Sequence, residues 1–244
     1  MAIHKAVILA GGKGTRLRPL TFNIPKPLLP VGERSIVELL LERLRDSGVS
    51  QVILSLGYRG ELVRAFCGDG SQFGVKIDYV DENEPLGTAG PLRLLGDRLE
   101  PGERLFLMNG DIVTALDFRD LARFHEGEGV ELSVAYKELH EKSPFGVLQI
   151  GNRRLQGIVE KPTNTYAVSA GIYALDAGII AEIPPDTLFT MPELATRLID
   201  QDRPVGAFRI DAYWLGVERF PHLQEALTAL QEVGVEPSGG DDPF

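Results

Sequence analysis

A chain of 244 residues with 43% hydrophobic content is long enough to bury one sizeable core, and no stretch of it approaches the roughly 18–20 apolar residues of a membrane span. Its formal charge of −10 argues against a general coat for nucleic acid, because affinity for a phosphate backbone comes from many Lys and Arg contacts. A single cysteine, Cys67, rules out an internal disulfide and a Cys-rich metal site, and reads as a small buried hydrophobe.

The first apolar run, residues 6–10, is too short for a signal-peptide core and no small-residue cleavage site follows it, so a cytoplasmic location is expected. Similar runs at 51–56, 75–80 and 104–108 alternate with amphipathic stretches. That alternation predicts an α/β fold: a single Rossmann-like domain built on a mostly parallel, mixed sheet flanked by helices. Ser35 and Glu38 have the spacing of a capping box, an apolar face runs through Leu44, and Gly48 supplies the stop of a first helix. Further helices are predicted over 60–67 and 91–99, and Asp117 caps another through residue 125. Runs at 130–137, 146–150 and 155–160 predict strands added to the same sheet, partly antiparallel, with another strand at 168–175. A helix with an early proline is predicted over 192–200, a strand over 205–210 and a closing helix over 220–233. No break in composition precedes residue 235, so 1–235 reads as one domain. Residues 236–244, rich in Pro, Gly, Ser and Asp, read as a disordered tail. No repeat is present, and in particular no hexapeptide period of a β-helix.

Residues 1–32 carry five cations, Lys5, Lys13, Arg16, Arg18 and Lys26, and no acid, although acids outnumber bases in the whole chain. The expectation is that something anionic docks there. Within this segment Leu9-Ala10-Gly11-Gly12-Lys13-Gly14-Thr15-Arg16-Leu17 follows the first strand, and its glycines let backbone N–H groups approach phosphate oxygens. It is not a Walker loop, which needs Gly-Lys-Ser/Thr after a four-residue spacer. Nor is it the dinucleotide fingerprint, whose third glycine is replaced by Leu17. Lys26 stands between Pro25 and Pro27, which restrict the backbone around it. Asp111 follows the strand at 104–108 through Asn109-Gly110, at the carboxyl end where open α/β sheets place ligands, and a hard oxygen ligand there suits Mg²⁺. The four histidines, at 4, 125, 140 and 222, sit in no motif, and no Ser-His-Asp or Cys-His arrangement is legible.

The segment 11–17 followed by Pro25-Lys26-Pro27 resembles the signature of the sugar-1-phosphate nucleotidylyltransferases. The likeness continues in order through Pro85-Leu86-Gly87-Thr88-Ala89-Gly90, Asn109-Gly110-Asp111, Phe145-Gly146-Val147, Glu160-Lys161-Pro162, Ala170-Gly171-Ile172-Tyr173 and Trp214. The resemblance implies the nucleotide-diphospho-sugar transferase fold, with a nucleotide-binding N-terminal half and a sugar-binding C-terminal half. It implies an enzyme that joins a nucleoside triphosphate and a sugar 1-phosphate, releases pyrophosphate, and uses Mg²⁺. In such enzymes the sugar phosphate attacks the α-phosphorus in line, so catalysis rests on cations, backbone donors and a metal.

On that resemblance the catalytic residues are Arg16, toward the β and γ phosphates or the departing pyrophosphate, Lys26, near the reacting centre, and Asp111, the metal ligand. The nucleotide would be held by Leu9, Ala10, Gly11, Gly12, Gly14, Thr15, Arg16, Lys26, Glu82, Pro85, Gly87, Thr88 and Ala89. The sugar phosphate would be held by Asn109, Gly146, Glu160, Lys161, Ser169 and Gly171. The wording of 84–90 is similar to guanylyltransferases for mannose and heptose 1-phosphates, which favours GTP. Two departures stand out: Ser169 replaces an Asn common before Ala-Gly, and Gly216 replaces the second metal carboxylate of the Trp-x-Asp element, with Glu218 as a relocated candidate. Two alternatives stay open: a catalytically weak regulatory or NDP-sugar-binding homologue, and a thymidylyl-, uridylyl- or cytidylyltransferase of the same fold. No nucleic-acid or membrane partner is expected, and a homo-oligomer is compatible with the sequence.

Overall fold

Strands that are apolar on both faces have to be covered from both sides, and helices with one apolar stripe supply the cover. The computed structural model, which describes residues 3–100 and 102–232, is built this way. In chain order its elements are β1 (Lys5–Ala10), β2 (Pro30–Val31), β3 (Arg34–Ser35), α1 (Ile36–Asp46), β4 (Gln51–Leu56), α2 (Gly60–Cys67), β5 (Lys76–Asp81), β6 (Arg104–Asn109) and β7 (Ile112–Thr114). There follow α3 (Phe118–Glu128), β8 (Leu132–Lys142), β9 (Val147–Gly151), β10 (Arg154–Val159), β11 (Thr163–Asp176), α4 (Met191–Asp200), β12 (Val205–Arg209), β13 (Trp214–Gly216) and α5 (Phe220–Glu232).

The main sheet has seven strands in the order β12-β8-β11-β6-β1-β4-β5. Only β11 runs against its neighbours, β8 and β6; every other pairing is parallel. Alternate residues of the central strands feed two separate cores. Ala6, Ile8, Val52, Leu54 and Phe106 pack with Leu40 of α1, Val63 of α2, Phe118 of α3 and Ala226 of α5. Val7, Ile53, Leu105 and Leu107 face the other side, against Leu92, Ile179 and the α4 residues Met191, Leu194 and Leu198. Each fully buried Leu or Ile contributes about 1.5–3 kcal/mol relative to exposure, so these layers hold the strand ends in place. Cys67 lies in the first core, and burial pushes its thiol up to about 12, which makes it inert, as its isolation in the sequence suggests.

The predicted caps form. Glu38 N–H donates to Ser35 Oγ at 3.4 Å while the Glu38 carboxylate accepts from Ser35 N–H at 2.6 Å, and Asp117 accepts from Arg119 N–H at 3.0 Å. A second capping box, Thr190 with Glu193, starts α4 and places Pro192 in its first turn.

Three expectations need correction. Residues 91–99 do not form an α-helix: Gly90–Arg98 is 3₁₀ and is interrupted at Gly96, whose φ of 50° and ψ of −129° break the run after Leu92 and Leu95 have been buried. The strands at 146–150 and 155–160 do not join the main sheet. They are β9 and β10, paired only with each other through a turn in which Asn152 and Arg153 are both left-handed, the geometry of a tight hairpin. Finally, β8 and β11 extend well beyond the predicted 130–137 and 168–175. Their extra halves, paired from Thr163↔Lys142 to Ala167↔Glu138, are largely exposed and polar, and hydrophobic patterning does not register them. The tail at 236–244 lies outside the described residues.

Candidate active site

β1 delivers the chain to the glycine loop at its carboxyl end, and the loop closes on itself locally. Gly14 is left-handed with φ 57°, and its carbonyl accepts from Thr21 Oγ1 at 2.8 Å and from Leu17 N–H at 2.9 Å. Leu17 is buried, so Arg16, its neighbour on the same 3₁₀ turn, projects outward. Pro25 caps and Pro27 sits within another 3₁₀ turn, Lys26–Leu28, that aims Lys26 back across the loop. From the other side β6 ends at Asn109, Gly110 N–H donates to Leu9 O at 2.9 Å, and Asp111 follows. The Lys26 ammonium and the Asp111 carboxylate form an ion pair, the lysine largely buried and the aspartate about one-third exposed.

These elements line one cleft of about 850 Å³. Of the residues expected to bind nucleotide, Leu9, Ala10, Gly11, Gly12, Lys26, Glu82, Pro85, Gly87 and Thr88 line it, together with Asn109 and Asp111. Glu82 follows β5 and turns toward the glycine loop: a Cβ on Gly11 would stand 2.8 Å from Glu82 Oε1. Ser55 Oγ donates to that same oxygen at 2.7 Å. Burial raises the Glu82 pKa, and the hydrogen bonds from Ser55 and from the Leu86 backbone work against that rise. The loop that carries Pro85, Gly87 and Thr88 is clasped to the start of α4. Phe189 O accepts from Ala89 N–H at 2.9 Å and from Gly90 N–H at 3.0 Å, and Met191 N–H donates to Thr88 Oγ1 at 2.8 Å. Ala89 is fully buried beneath the loop rather than in the cleft.

Several expected residues stand apart from the cleft lining. Gly14, Thr15 and Arg16 lie beside it, and the Arg16 guanidinium pairs with Glu218 at 2.7 Å, both side chains more than half exposed. Ser169, Ala170 and Gly171 occupy an irregular stretch of β11 where the pairing with β8 shifts register. Gly171 has φ 65°, and a Cβ there would overlap the Asn109 amide, so this stretch abuts the cleft through Asn109. Ser169 Oγ lies 3.2 Å from Tyr173 Oη, and Trp214 Nε1 donates to Ala170 O at 2.9 Å. Gly146, Glu160 and Lys161 lie at the base of the β9–β10 hairpin, exposed, with Glu160 against Gly146 and Lys161 left-handed at φ 45°.

Gly216 ends β13, which pairs antiparallel with β7 so that Gly216 faces Ile112, and Val217 N–H donates to Asp111 O at 2.8 Å. The missing carboxylate would therefore have stood next to Asp111. Among the described residues no group of three or more His, Cys, Asp or Glu side chains is placed to hold a metal ion, and Asp111 is the acidic oxygen donor facing Lys26.

Sequence reasoning missed Gly57, Tyr58 and Asn83, which also line the cleft, whereas Glu84 belongs to the 84–90 loop already singled out. Gly57 and Tyr58 follow β4 as Gly11 follows β1, so the rule that ligands sit beyond strand carboxyl ends would have found them. It also missed a Ser-His-Asp constellation: His125 Nδ1 lies 2.9 Å from Ser133 Oγ and Nε2 lies 3.3 Å from Asp176 Oδ1. Ser133 and His125 are fully buried, so the serine meets no substrate and the arrangement braces α3 against β8 and β11.

A Rossmann-like sheet that gathers a glycine loop, an acidic strand end and a lysine in one cleft beyond its strand ends has the arrangement by which open α/β sheets set out a ligand site. The family model described as nucleotidyl transferase matches residues 5–233, and the chain belongs to that family. A mannose-1-phosphate guanyltransferase of Schizosaccharomyces pombe is 34% identical over 220 residues, covering 87% of this chain and 60% of that protein. The chain thus spans about three-fifths of the length of such curated relatives. Among solved structures, HddC from Yersinia pseudotuberculosis complexed with GMP-PN is 28% identical with a TM-score of 0.73, covering 93% of this chain and all of that one. A Bacillus anthracis chain whose proposed assignment is glucose-1-phosphate thymidylyltransferase, in complex with a sucrose, is 25% identical with a TM-score of 0.77, covering 97% of each. No helix among the described residues is long and apolar enough to cross a membrane.

Proposed function

We propose that this protein transfers GMP from GTP to a sugar 1-phosphate of the mannose or heptose type, giving a GDP-sugar and pyrophosphate. The observation that carries the reading is one cleft holding both the Lys26–Asp111 pair and the Glu82 carboxylate beside the glycine loop. A carboxylate at the base end suits guanine, whose N1–H and N2 amino group both donate, whereas thymine and uracil offer a single ring N–H flanked by acceptors. The guanyltransferase name of the S. pombe relative and the GMP-PN bound to HddC favour the same base.

In this reading a phosphate oxygen of the sugar phosphate attacks the α-phosphorus of GTP. The new P–O bond forms as the bond to the β-phosphate oxygen breaks, and pyrophosphate leaves with the electron pair. The Lys26 ammonium neutralises charge building on the α-phosphoryl oxygens, and the backbone N–H groups of 11–14 cradle the phosphates. Arg16 exchanges Glu218 for the β and γ phosphates, an exchange made easy by the exposure of that pair. Lys161, Glu160, Gly146 and the Ser169–Gly171 stretch with Asn109 take the sugar phosphate. Asp111 is a donor suited to Mg²⁺, which accepts one protein carboxylate when substrate phosphates complete its shell, and the ion when bound would neutralise phosphate charge.

A regulatory homologue that had lost catalysis would be expected to have damaged Lys26, Asp111 or Lys161, and all three are retained. A cytoplasmic location fits a pathway that makes sugar nucleotides. The deciding experiment is a pyrophosphate-release screen of the purified protein with five nucleoside triphosphates against a panel of sugar 1-phosphates. Turnover confined to GTP with mannose- or heptose-type phosphates is expected; preference for another triphosphate overturns the base assignment, and no turnover with any pair overturns the reading.

A further inference from the structure

The buried stretch Val52–Leu56 contains one polar side chain, Ser55, and it is fully buried. In a strand whose backbone is committed to ladders on both sides, a hydroxyl has to find a side-chain or loop partner or forfeit a hydrogen bond. The register determines which partner it meets. Ser55 pairs with Leu9 on β1 and with Val80 on β5. Side chains two residues apart share a face, so Gly11 and Glu82 extend the same face on either side of Ser55. Glu82 N–H still donates to Leu56 O at 2.7 Å, which anchors its backbone to β4 while its carboxylate folds over Ser55. The absence of a side chain at Gly11 leaves the room into which Oε1 fits.

We propose that Ser55 is a positioning residue for base selection, its hydroxyl fixing the Glu82 carboxylate in the orientation that accepts from the N1–H and N2 amino edge of guanine. The inference rests on the GTP reading of the same cleft. Glu82 is only partly buried, and its side chain has three rotatable bonds, so the strand alone does not fix where its two oxygens point. The Ser55 hydroxyl holds Oε1 from below at 2.7 Å. Held on that donor and lining the cleft, the carboxylate keeps its remaining lone pairs available there. A bidentate contact discriminates only when both oxygens are placed together, because a base lacking one donor then leaves a desolvated oxygen unpaired.

The test compares GTP with ITP, which lacks the N2 amino group, at saturating sugar phosphate, for wild type, Ser55→Ala, Ser55→Thr and Glu82→Gln. Ser55→Ala should raise the KM for GTP roughly 5- to 20-fold with kcat within about two-fold, the loss of one hydrogen bond to a charged group. Its GTP-over-ITP ratio of kcat/KM should fall toward that of Glu82→Gln, and Ser55→Thr, which keeps the hydroxyl, should recover the ratio. Thermal denaturation of each variant accompanies the kinetics. Should Ser55→Ala fail to fold, Ser55→Cys keeps the volume with a weaker donor and is expected to lie between wild type and Glu82→Gln. The proposal is overturned if the GTP-over-ITP ratio stays at the wild-type value, or if GTP and ITP lose kcat/KM equally alongside a lowered Tm, the pattern of a merely structural hydroxyl. A wild-type protein that does not use GTP overturns the proposed function instead, so the two failures are distinguishable.

Discussion

Lys26 and Asp111, 85 residues apart in sequence, are ion-paired in the cleft, so the cation expected to neutralise the phosphates is held by the carboxylate expected to bind the metal. Each therefore holds the other in place across the cleft. For Lys26→Ala, turnover is expected to fall at least ~100-fold, because a charge lost from a desolvated phosphoryl-transfer site costs several kcal/mol of transition-state stabilisation. The melting temperature should move by no more than a few degrees, since the remaining Asp111 is partly solvated. Pyrophosphate release and thermal denaturation of the variant check both halves, and near-normal turnover would contradict the assignment.

The position of the missing carboxylate can be refilled. Gly216 faces Ile112 in the β13–β7 pair, and a Cβ there meets nothing nearer than the Trp214 ring at 3.9 Å. Gly216→Asp is expected to fold normally and to lower the Mg²⁺ concentration for half-maximal rate, with tighter Mn²⁺ binding by titration. An unmoved titration, or abolished activity, would show that a second carboxylate at this position does not serve the ion.

Glu218, the relocated candidate ligand, is engaged by Arg16 instead. Glu218→Ala is accordingly expected to leave the Mg²⁺ titration within about two-fold of wild type and to alter chiefly the KM for the triphosphate, by freeing Arg16. A large rise in the Mg²⁺ requirement would restore Glu218 as a ligand.

Lys161 sits left-handed at the base of the hairpin and is not among the residues that line the cleft. Lys161→Ala should raise the KM for the sugar phosphate several-fold more than that for GTP. Steady-state kinetics varying each substrate in turn measure the split, and equal losses would remove the division into a nucleotide side and a sugar side.

His125 makes stability depend on pH. Burial lowers its pKa below the ordinary 6.5, with Arg104 adding to the effect and Asp176 opposing it, so the folded protein keeps the ring neutral. Between the lowered pKa and 6.5 the unfolded chain binds a proton that the folded chain does not. This contribution to stability is thus fully present above about pH 6.5 and is lost as pH falls toward the folded value. Urea midpoints measured from pH 8 to pH 5 should decline over that lower range, and His125→Gln should flatten the decline. An unchanged slope in the variant would assign the effect to other groups.

The elements that were legible in the sequence are those whose signals lie within one turn or one strand of chain. The Ser35 capping box, the glycine loop, Lys26 between two prolines and Asp111 past a strand end each follow from local conformational restriction, and each is present in the structure. Their ordered recurrence pointed to the family that the match over 5–233 establishes. The 3₁₀ run at Gly90–Arg98 misled because Leu92 and Leu95, three apart, suit either helix type, and the break comes at Gly96 with its positive φ.

The sequence by itself thus determined the alternating fold, the glycine loop and the residue types brought to the cleft, because steric limits on φ and ψ and hydrophobic period act along the chain. Tertiary structure alone decided which side chains meet. Ser55 reaches Glu82 through strand register, Glu218 takes Arg16 across 202 residues, His125 lies between Ser133 and Asp176, and β9 and β10 pair apart from the main sheet. Those contacts depend on how strands align and layers close, and alignment is set by the summed packing of two cores rather than by any short run of residues.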